Sequence, residues 1–280
     1  MIKTYFKLKQ SLFTAVNKWS NYRIKFKIER KGKIGWFAKN LIRGYPSLKK
    51  GEVLLFGRKF RFDDSLGFLH SYYDIFIDDS YKFNTNQSTI AIIDCGASFG
   101  LSIVYFKENF PDAKIIAFEA DQNIFESLSA NIAAFNYKDV QLVNKAVWIS
   151  EDETLTFANE GSLSGHLVSG PHEESGFQSV KTTRLKKYLQ TKIDFLKVDI
   201  EGAENTVIYD IAEDLHNVET LFIEYHSSLD EKQCLGDILS IVSKAGFRYY
   251  IKHANDYKKE PFVEKGTSPF DLQLNIFCTK

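Results

Sequence analysis

Residues 89–102 read TIAIIDCGASFGLS, and this stretch decides the fold. Its first half is an apolar run rich in β-branched residues, as expected of a parallel strand that is buried on both faces. Its second half is the turn D-x-G-x-x-x-G from Asp94 to Gly100, and helical spacing follows over Leu101–Asn109. A strand, a glycine turn and a helix in this order predict the first unit of an α/β domain.

The same alternation continues to the end of the chain. We predict a mostly parallel sheet of seven strands with helices on both faces, and an antiparallel last strand because no helical pattern separates the final two. The predicted strands are Thr89–Cys95, Lys114–Glu119, Val140–Trp148, Phe195–Ile200, Thr220–Tyr225, Phe247–His253 and Gln273–Cys278. The predicted helices are Leu101–Asn109, Gln122–Phe135, 203–213 and 231–245, and the less regular stretch 149–190 predicts a hairpin at Thr154–Phe157 and a Gly/Ser-rich loop at Gly161–Gly170.

Charge is distributed unevenly along the chain. Residues 1–60 hold 16 of the 36 Lys and Arg but only two acids, Glu29 and Glu52, whereas residues 61–280 hold the other 20 basic and 34 acidic residues. Such asymmetry indicates a surface-binding arm or a segment that docks on the rest. We predict two parts, a basic and helical extension over residues 1–60 and an α/β domain over residues 61–280.

The composition also indicates where the protein works. Three cysteines, Cys95, Cys234 and Cys278, are far apart and form no disulfide framework or metal spacing. No apolar run approaches the ~20 residues of a membrane span. We expect a cytoplasmic protein. The basic extension is either a set of helices with solvated lysines or a surface for anionic lipid or another polyanion, which would place the protein peripherally at a membrane.

The loop from Asp94 to Gly100 predicts a nucleoside cofactor. Glu119 ends the second strand 19 residues later, where an acid can accept hydrogen bonds from both hydroxyls of a ribose. A dinucleotide fold requires G-x-G-x-x-G, but Ser98 and Leu101 occupy its second and third glycine positions. S-adenosylmethionine (SAM) has no phosphate and needs less clearance, and its amino group suits an acidic neighbour such as Asp94. The sequence therefore favours SAM over NAD.

The same residues also spell G-x-S-x-G, the nucleophile elbow of α/β-hydrolases. Ser98 would be the nucleophile, with Asp199 and His226 following in the right chain order. That fold needs several strands before the elbow, and residues 1–88 offer no clear set. The hydrolase hypothesis is therefore the remote alternative.

Acidic residues follow the fourth and fifth predicted strands. Asp199 ends one strand and Glu224 and His226 end the next, while Glu201 and Glu204 begin a helix. Ligands of doubly wound sheets bind beyond the carboxyl ends of the strands, so these groups are expected at the cleft. The candidate general bases are His226, whose ordinary pKa of about 6.5 suits proton removal, and then Asp199. A second route would use Mg²⁺ held by Asp199 and Glu224.

Six segments of the chain resemble the FkbM family of methyltransferases. The resemblance covers about residues 70–255, and DFLKVDIEGAE (194–204) is its most specific part. The other segments are YDIFIDDSYKF (73–83), IIDCGASFGLS (92–102), IIAFEAD (115–121), NKAV (144–147) and FIEYH (222–226). Cys95 and Ser98 stand where the family more often has Val and Asn.

The resemblance implies a class I methyltransferase sheet and O-methylation, often of a sugar or natural-product hydroxyl. It also implies a set of cofactor contacts: the methionine part of SAM in the loop, the ribose at the second strand and the adenine after the third. The implied cofactor-binding residues are Asp94, Gly96, Ala97, Ser98, Gly100, Glu119 and Ala146.

Two further functions stay open on the sequence. The basic extension allows a methyltransferase for nucleic acid or protein, but the chain has no (D/N)PP(Y/F) motif of amino-methylating enzymes, and nucleic acid is not the expected partner. The other is a non-enzymatic SAM-binding or membrane-docking protein. The acceptor pocket is expected from residues 149–190, 254–270 and the N-terminal extension.

Overall fold

The computed structural model describes most of the chain. The described residues are 27–28, 34, 36–46, 49–158, 166–168, 177–229, 231–254, 260, 262–263 and 270–280. Most of the predicted helical extension, most of the loop Gly161–Gly170 and most of the stretch 254–270 lie outside these residues.

The described elements alternate between strands and helices, as predicted. The strands are β1 (Lys27–Ile28), β2 (Gly51–Leu55), β3 (Arg58–Phe62), β4 (Ala91–Cys95), β5 (Lys114–Phe118), β6 (Val140–Val143), β7 (Ala146–Trp148), β8 (Thr154–Ala158), β9 (His166–Val168), β10 (Phe177–Arg184), β11 (Ile193–Val198), β12 (Val218–Ser228), β13 (Arg248–His253) and β14 (Phe270–Thr279). The α-helices are α1 (Trp36–Arg43), α2 (Ser65–Tyr72), α3 (Leu101–Asn109), α4 (Gln122–Phe135), α5 (Glu204–Asp210) and α6 (Leu235–Lys244). A π-helix spans Tyr73–Ile77, and short 3₁₀ helices span Leu185–Tyr188 and Asp214–Asn217.

The central sheet has the predicted seven strands, in the spatial order β13-β14-β12-β11-β4-β5-β6. Strands β12, β11, β4, β5 and β6 pair in parallel, whereas β14 runs antiparallel to both β12 and β13. The order reverses between β4 and β11, which is the switch point where open α/β sheets form a cleft. The predicted class I methyltransferase fold is confirmed.

Local sequence explains the helices beside this cleft. Gly100 adopts a left-handed backbone conformation at the start of α3, which few other residue types tolerate. Asp121 caps α4, because its carboxylate accepts hydrogen bonds from the N–H groups of Asn123 and Ile124. Both helices begin and end at the predicted residues, and Asn136 ends α4 in the left-handed region.

The prediction of one strand over Val140–Trp148 is wrong, because the segment divides into β6 and β7. The Asn144 side chain donates hydrogen bonds to the carbonyls of Glu119 and Ala120, which turns the chain between the two strands. Strand β7 then leaves the central sheet and pairs in parallel with β10. The resulting second sheet has the order β7-β10-β8-β9, and the predicted hairpin at Thr154–Phe157 forms part of it.

The segment before residue 62 contains a hairpin that the sequence analysis did not predict. Strands β2 and β3 pair antiparallel, and the predicted domain boundary after residue 60 falls inside β3. Phe60 is fully buried, with ring centroids of Phe68, Phe99 and Phe135 within 6.4 Å. The Asn131 side chain on α4 also bonds the backbone N–H and C=O of Arg61. The hairpin is therefore part of the core of the α/β domain.

Among the described helices, none is long and apolar enough to cross a membrane.

The packing of Phe60 can be tested by mutation. We expect Phe60→Ala to lower the free energy of unfolding by about 3–5 kcal/mol, because it removes a buried ring from a cluster of aromatic side chains. The matched control is Phe262→Ala, whose ring is fully exposed and whose loss should change stability by less than about 0.5 kcal/mol. Urea unfolding of both variants checks this, and equal effects would contradict the assignment of the hairpin to the core.

Candidate active site

The carboxyl ends of β4, β5, β11 and β12 bring the predicted site residues to one cleft. The loop after β4, residues 94–100, is called the cofactor loop below. Glu119 follows β5, Asp199 follows β11, and Glu224 and His226 lie near the end of β12. The topology therefore gathers the groups that the sequence analysis singled out.

The cofactor loop is held against the neighbouring strands by its backbone. The N–H groups of Gly96 and Ala97 both donate to the carbonyl of Phe118. Gly96 has a positive φ of 83°, and a Cβ there would lie 1.8 Å from the carbonyl oxygen of Asp199. Only glycine allows this approach, so the cofactor loop and the end of β11 are fixed relative to each other.

Glu119 connects the cofactor loop to the turn that follows β5. One carboxylate oxygen accepts a hydrogen bond from the Ser98 N–H at 2.9 Å, and the other accepts one from the Asp121 N–H at 2.8 Å. Burial raises the pKa of Glu119 to about 7, although these hydrogen bonds favour the charged form. Each oxygen keeps a second lone pair with which it could accept a ribose hydroxyl.

Asp94 lies at the predicted position, but its carboxylate points into the protein. It is fully buried, accepts a hydrogen bond of 2.5 Å from Ser102 and lies 3.3 Å from the ammonium nitrogen of Lys197. The side chain is therefore buried behind the cofactor loop. It does not face the cleft, where it was expected to meet the amino group of SAM.

Lys197 is a buried lysine in strand β11, whose residues are all buried. Its ammonium group donates to the carbonyl of Gly96 at 2.7 Å and lies 3.0 Å from Asp199 Oδ2. Burial works against its charge, but Asp199 and Asp94 raise its pKa well above the ordinary value. Lys197 is thus a fixed positive charge between the cofactor loop and Asp199.

His226 is almost fully buried and surrounded by carboxylates. Its Nδ1 lies 2.8 Å from Glu204 Oε1, and its Nε2 lies 3.4 Å from Glu201 and 3.7 Å from Glu224. Burial opposes the charge of the ring, but the three carboxylates, Glu204 first, raise the pKa of His226 to about 10. The ordinary pKa of histidine predicts His226 as a base, but that premise is wrong here, because the ring already carries its proton at neutral pH.

Asp199 and Glu224 stand on the open side of this group. About a fifth of each side chain is exposed. Burial and then Asp199 raise the pKa of Glu224 to about 8. The ligand atoms of Asp199, Glu224 and His226 all lie within 4.8 Å of one another. We call these three residues the strand-end cluster.

Ala146 lies in an apolar patch beside the cleft. It is buried on β7 and packs with Val180 of β10 and the partly buried Ala120. An apolar surface here fits the adenine contact that the family resemblance implies.

The hydrolase alternative fails on geometry. The Ser98 hydroxyl is buried and makes no hydrogen bond to any described residue. Both ring nitrogens of His226 face glutamates, and Asp199 pairs with Lys197 instead of orienting the ring. Ser98, Asp199 and His226 therefore form no catalytic triad.

The family model of the methyltransferase FkbM domain matches residues 94–249, more than half of the chain. The chain belongs to the FkbM methyltransferase family. The family that the sequence analysis predicted is confirmed.

Individual relatives of this FkbM chain are distant. Methyltransferase sdnD of Sordaria araneosa is 27% identical, over 51% of this chain and 68% of that protein. Methyltransferase 1 of Beauveria bassiana (strain ARSEF 2860) is 26% identical, over 50% of this chain and 65% of its own length. The crystal structure of methyltransferase FkbM from Methylobacillus flagellatus KT is 14% identical with a TM-score of 0.46, covering 73% of this chain and 47% of that one. The chain thus spans about two thirds of the two curated relatives and about half of the Methylobacillus protein.

The residues of the cleft fit SAM, the methyl donor that the family implies. The unpartnered hydroxyl of Ser98 is a polar group available to the methionine end. Glu119 has acceptor capacity for a ribose, and Ala146 lies in the apolar patch for the adenine.

Two positioning roles at the cleft of this FkbM domain were not predicted. Lys197 was not singled out, and Glu204 was expected at the cleft but not as the partner of His226. A lysine inside the apolar strand FLKV was a usable signal, because an unpaired lysine is almost never fully buried. The orientation of Glu204 toward a strand 22 residues later had no sequence signal.

The close contact at Gly96 gives a direct test of the cofactor loop. We expect Gly96→Ala to weaken SAM binding by about tenfold or more, because the added Cβ must displace the loop or Asp199. The matched control is Gly57→Ala, which also has a positive φ but no atom within 4 Å of the added carbon. Isothermal titration with SAM compares the two. Unchanged SAM affinity in folded Gly96→Ala would show that the loop does not bind the cofactor.

Proposed function

We propose that this methyltransferase transfers the methyl group of SAM to a hydroxyl oxygen of a glycan or small molecule. The observation that carries the proposal is the position of Asp199. Its backbone contacts the cofactor loop at Gly96, while its carboxylate reaches the open side of the cleft. A carboxylate in this place can hold an acceptor hydroxyl next to the cofactor.

Binding and positioning are the main tasks of the chain's own residues. When bound, SAM supplies an electrophilic methyl group, whose carbon–sulfur electron pair passes to sulfur as the acceptor oxygen bonds to carbon. Glu119 and the cofactor loop would hold the nucleoside and methionine ends. Because each end is fixed by buried hydrogen bonds, the methyl group would be presented in one orientation.

Asp199 is the better placed of the two predicted bases. Lys197 occupies one carboxylate oxygen, and the other makes no hydrogen bond to a described residue. The Nε2 atom of His226 is separated from the open cleft by Glu201 and Glu224, which lie next to it. The acceptor's proton would therefore pass to Asp199, directly or through a water molecule.

The predicted Mg²⁺ site would lie at the same position in the cleft. Asp199 and Glu224 would be its carboxylate ligands, and the ion would increase the acidity of the acceptor hydroxyl. The imidazole of His226 lies beside these carboxylates.

We also propose that the basic N-terminal extension makes a surface contact. Residues 1–60 would meet anionic lipid or another polyanion, and Lys49 and Lys50 are its exposed basic residues next to the hairpin. A nucleic-acid or protein substrate is the second candidate function, favoured by that charge alone. Salt-dependent binding of RNA would support it.

Methyl transfer to oxygen can be tested with isotope-labelled cofactor. Incubation of the chain with [¹³C-methyl]SAM and pooled glycans or polyhydroxylated small molecules should give new ¹³C methyl signals at the shift of an O-methyl group. Parallel incubations with RNA and with protein should give none. Labelled N-methyl product in either macromolecule would replace the hydroxyl proposal with the second candidate function.

The role of Glu119 predicts a pH dependence of cofactor binding. The pKa of Glu119 is about 7, so the carboxylate that accepts ribose hydroxyls forms as the pH rises through this value. We expect SAM affinity to increase by about three- to fourfold from about pH 6 to about pH 8, since hydrogen bonds to a charged acceptor are about 1 kcal/mol stronger. Glu119→Gln should bind more weakly and show no such increase.

The control for this experiment is Glu126→Gln on the exposed face of α4, which should keep the wild-type profile. A flat profile in the wild-type protein would remove Glu119 from ribose binding.

A further inference from the structure

The strand-end cluster has the composition of a metal site. Asp199 directly follows β11, and Glu224 and His226 lie on β12. Two ligands at 2.0–2.2 Å from an ion are about 2.8–4.4 Å apart, depending on the angle between them. The three ligand atoms lie within 4.8 Å of one another, so the side chains would move inward around a bound ion.

His226 is oriented as a ligand. Its Nδ1 and its backbone N–H both contact Glu204 Oε1, at 2.8 and 2.7 Å. Glu204 is itself fully buried and also accepts the Gly202 N–H, so the ring has little freedom to rotate. The Nε2 atom makes no hydrogen bond to a described residue and lies 3.4 Å from Glu201 and 3.7 Å from Glu224. Histidines that bind metals are held in this way, with a carboxylate on the opposite nitrogen.

Asp199 is oriented by a second supporting contact. Lys197 holds Oδ2 at 3.0 Å and is itself fixed by the Gly96 carbonyl. The other carboxylate oxygen, which the proposed function assigns to the acceptor hydroxyl, would bind the ion, and the ion would then contact the hydroxyl in its place. The two outer contacts, Glu204 to His226 and Lys197 to Asp199, thus hold two of the three candidate ligands in place.

Acidic side chains surround the cluster. They are Asp94, Asp199, Glu201, Glu204 and Glu224, and they lie around Lys197 and His226. Carboxylate oxygens beside an imidazole nitrogen are donors that divalent transition ions bind in proteins.

We infer that Asp199, Glu224 and His226 bind one divalent first-row transition ion, of which Mn²⁺ is the probe. The mixed set of one imidazole and two carboxylates favours such an ion over Mg²⁺, which prefers oxygen ligands throughout. Glu204 and Lys197 are positioning residues. The ion's role in methyl transfer rests on the proposed function: it would bind the acceptor hydroxyl and stabilise negative charge on its oxygen.

The first experiment measures metal binding without activity. The full chain is treated with EDTA, desalted and titrated with MnCl₂, and the electron paramagnetic resonance signal of free Mn²⁺ reports the bound fraction. We expect about one ion per chain. A large excess of MgCl₂ should displace it only partly.

Matched variants identify the ligands. Glu224→Gln should lose most of the Mn²⁺ binding, whereas Glu219→Gln, the same change on an exposed position of the same strand, should retain it. Glu204→Gln keeps a hydrogen-bond acceptor for His226 but removes the charge, so we expect affinity to fall by about 10- to 100-fold. Circular dichroism checks that each variant is folded.

Titration with SAM separates this inference from the proposed function. Stoichiometric Mn²⁺ binding that is lost in Glu224→Gln and kept in Glu219→Gln supports the site. SAM binding without Mn²⁺ binding, or equal Mn²⁺ affinity in Glu224→Gln, overturns the metal site and leaves the methyltransferase proposal intact. Mn²⁺ binding as expected without SAM binding supports the metal site and overturns the proposed function.

Discussion

The cleft depends on a buried lysine. Lys197 connects the Gly96 carbonyl, the Asp94 carboxylate and the Asp199 carboxylate, and so ties the cofactor loop to the end of β11. Removing one partner of a buried pair leaves an uncompensated charge, which typically costs about 3–5 kcal/mol. Such a contact holds its groups in place because any arrangement that separates them leaves a buried charge without a partner. Cofactor and acceptor residues on different strands are thereby kept in one arrangement.

The glycine contact has the complementary effect on the backbone. Gly96 brings the cofactor loop against the Asp199 carbonyl, closer than any side chain would permit. Lys197 then acts on the side chain of the same aspartate. Position and orientation of Asp199 are therefore both set from the cofactor loop. This explains how one turn can serve the cofactor while also defining where an acceptor must lie.

The sequence predicted what depends on local periodicity and on the order of elements. Strand β4, helices α3 and α4 and the antiparallel β14 follow from patterns within about 15 residues, and the topology brings Glu119 and Asp199 to the same edge. The division between β6 and β7 could not be read, because it depends on Asn144 bonding to a different strand end. The hairpin before residue 62 was obscured by its charge, since lysines and arginines alternate there with the buried phenylalanines.

His226 shows why the site was harder to predict than the fold. A histidine at a strand end suggests a base when its pKa is taken as ordinary, but that value belongs to an isolated side chain. The turn before α5 and the first residue of α5 place Glu201 near one ring nitrogen and Glu204 against the other. Helix placement is a tertiary property, so the sequence alone could not assign these partners. The carboxylates around this imidazole, Glu204 first, raise its pKa far above the ordinary value, so the chemistry of His226 follows from its partners and not from its residue type.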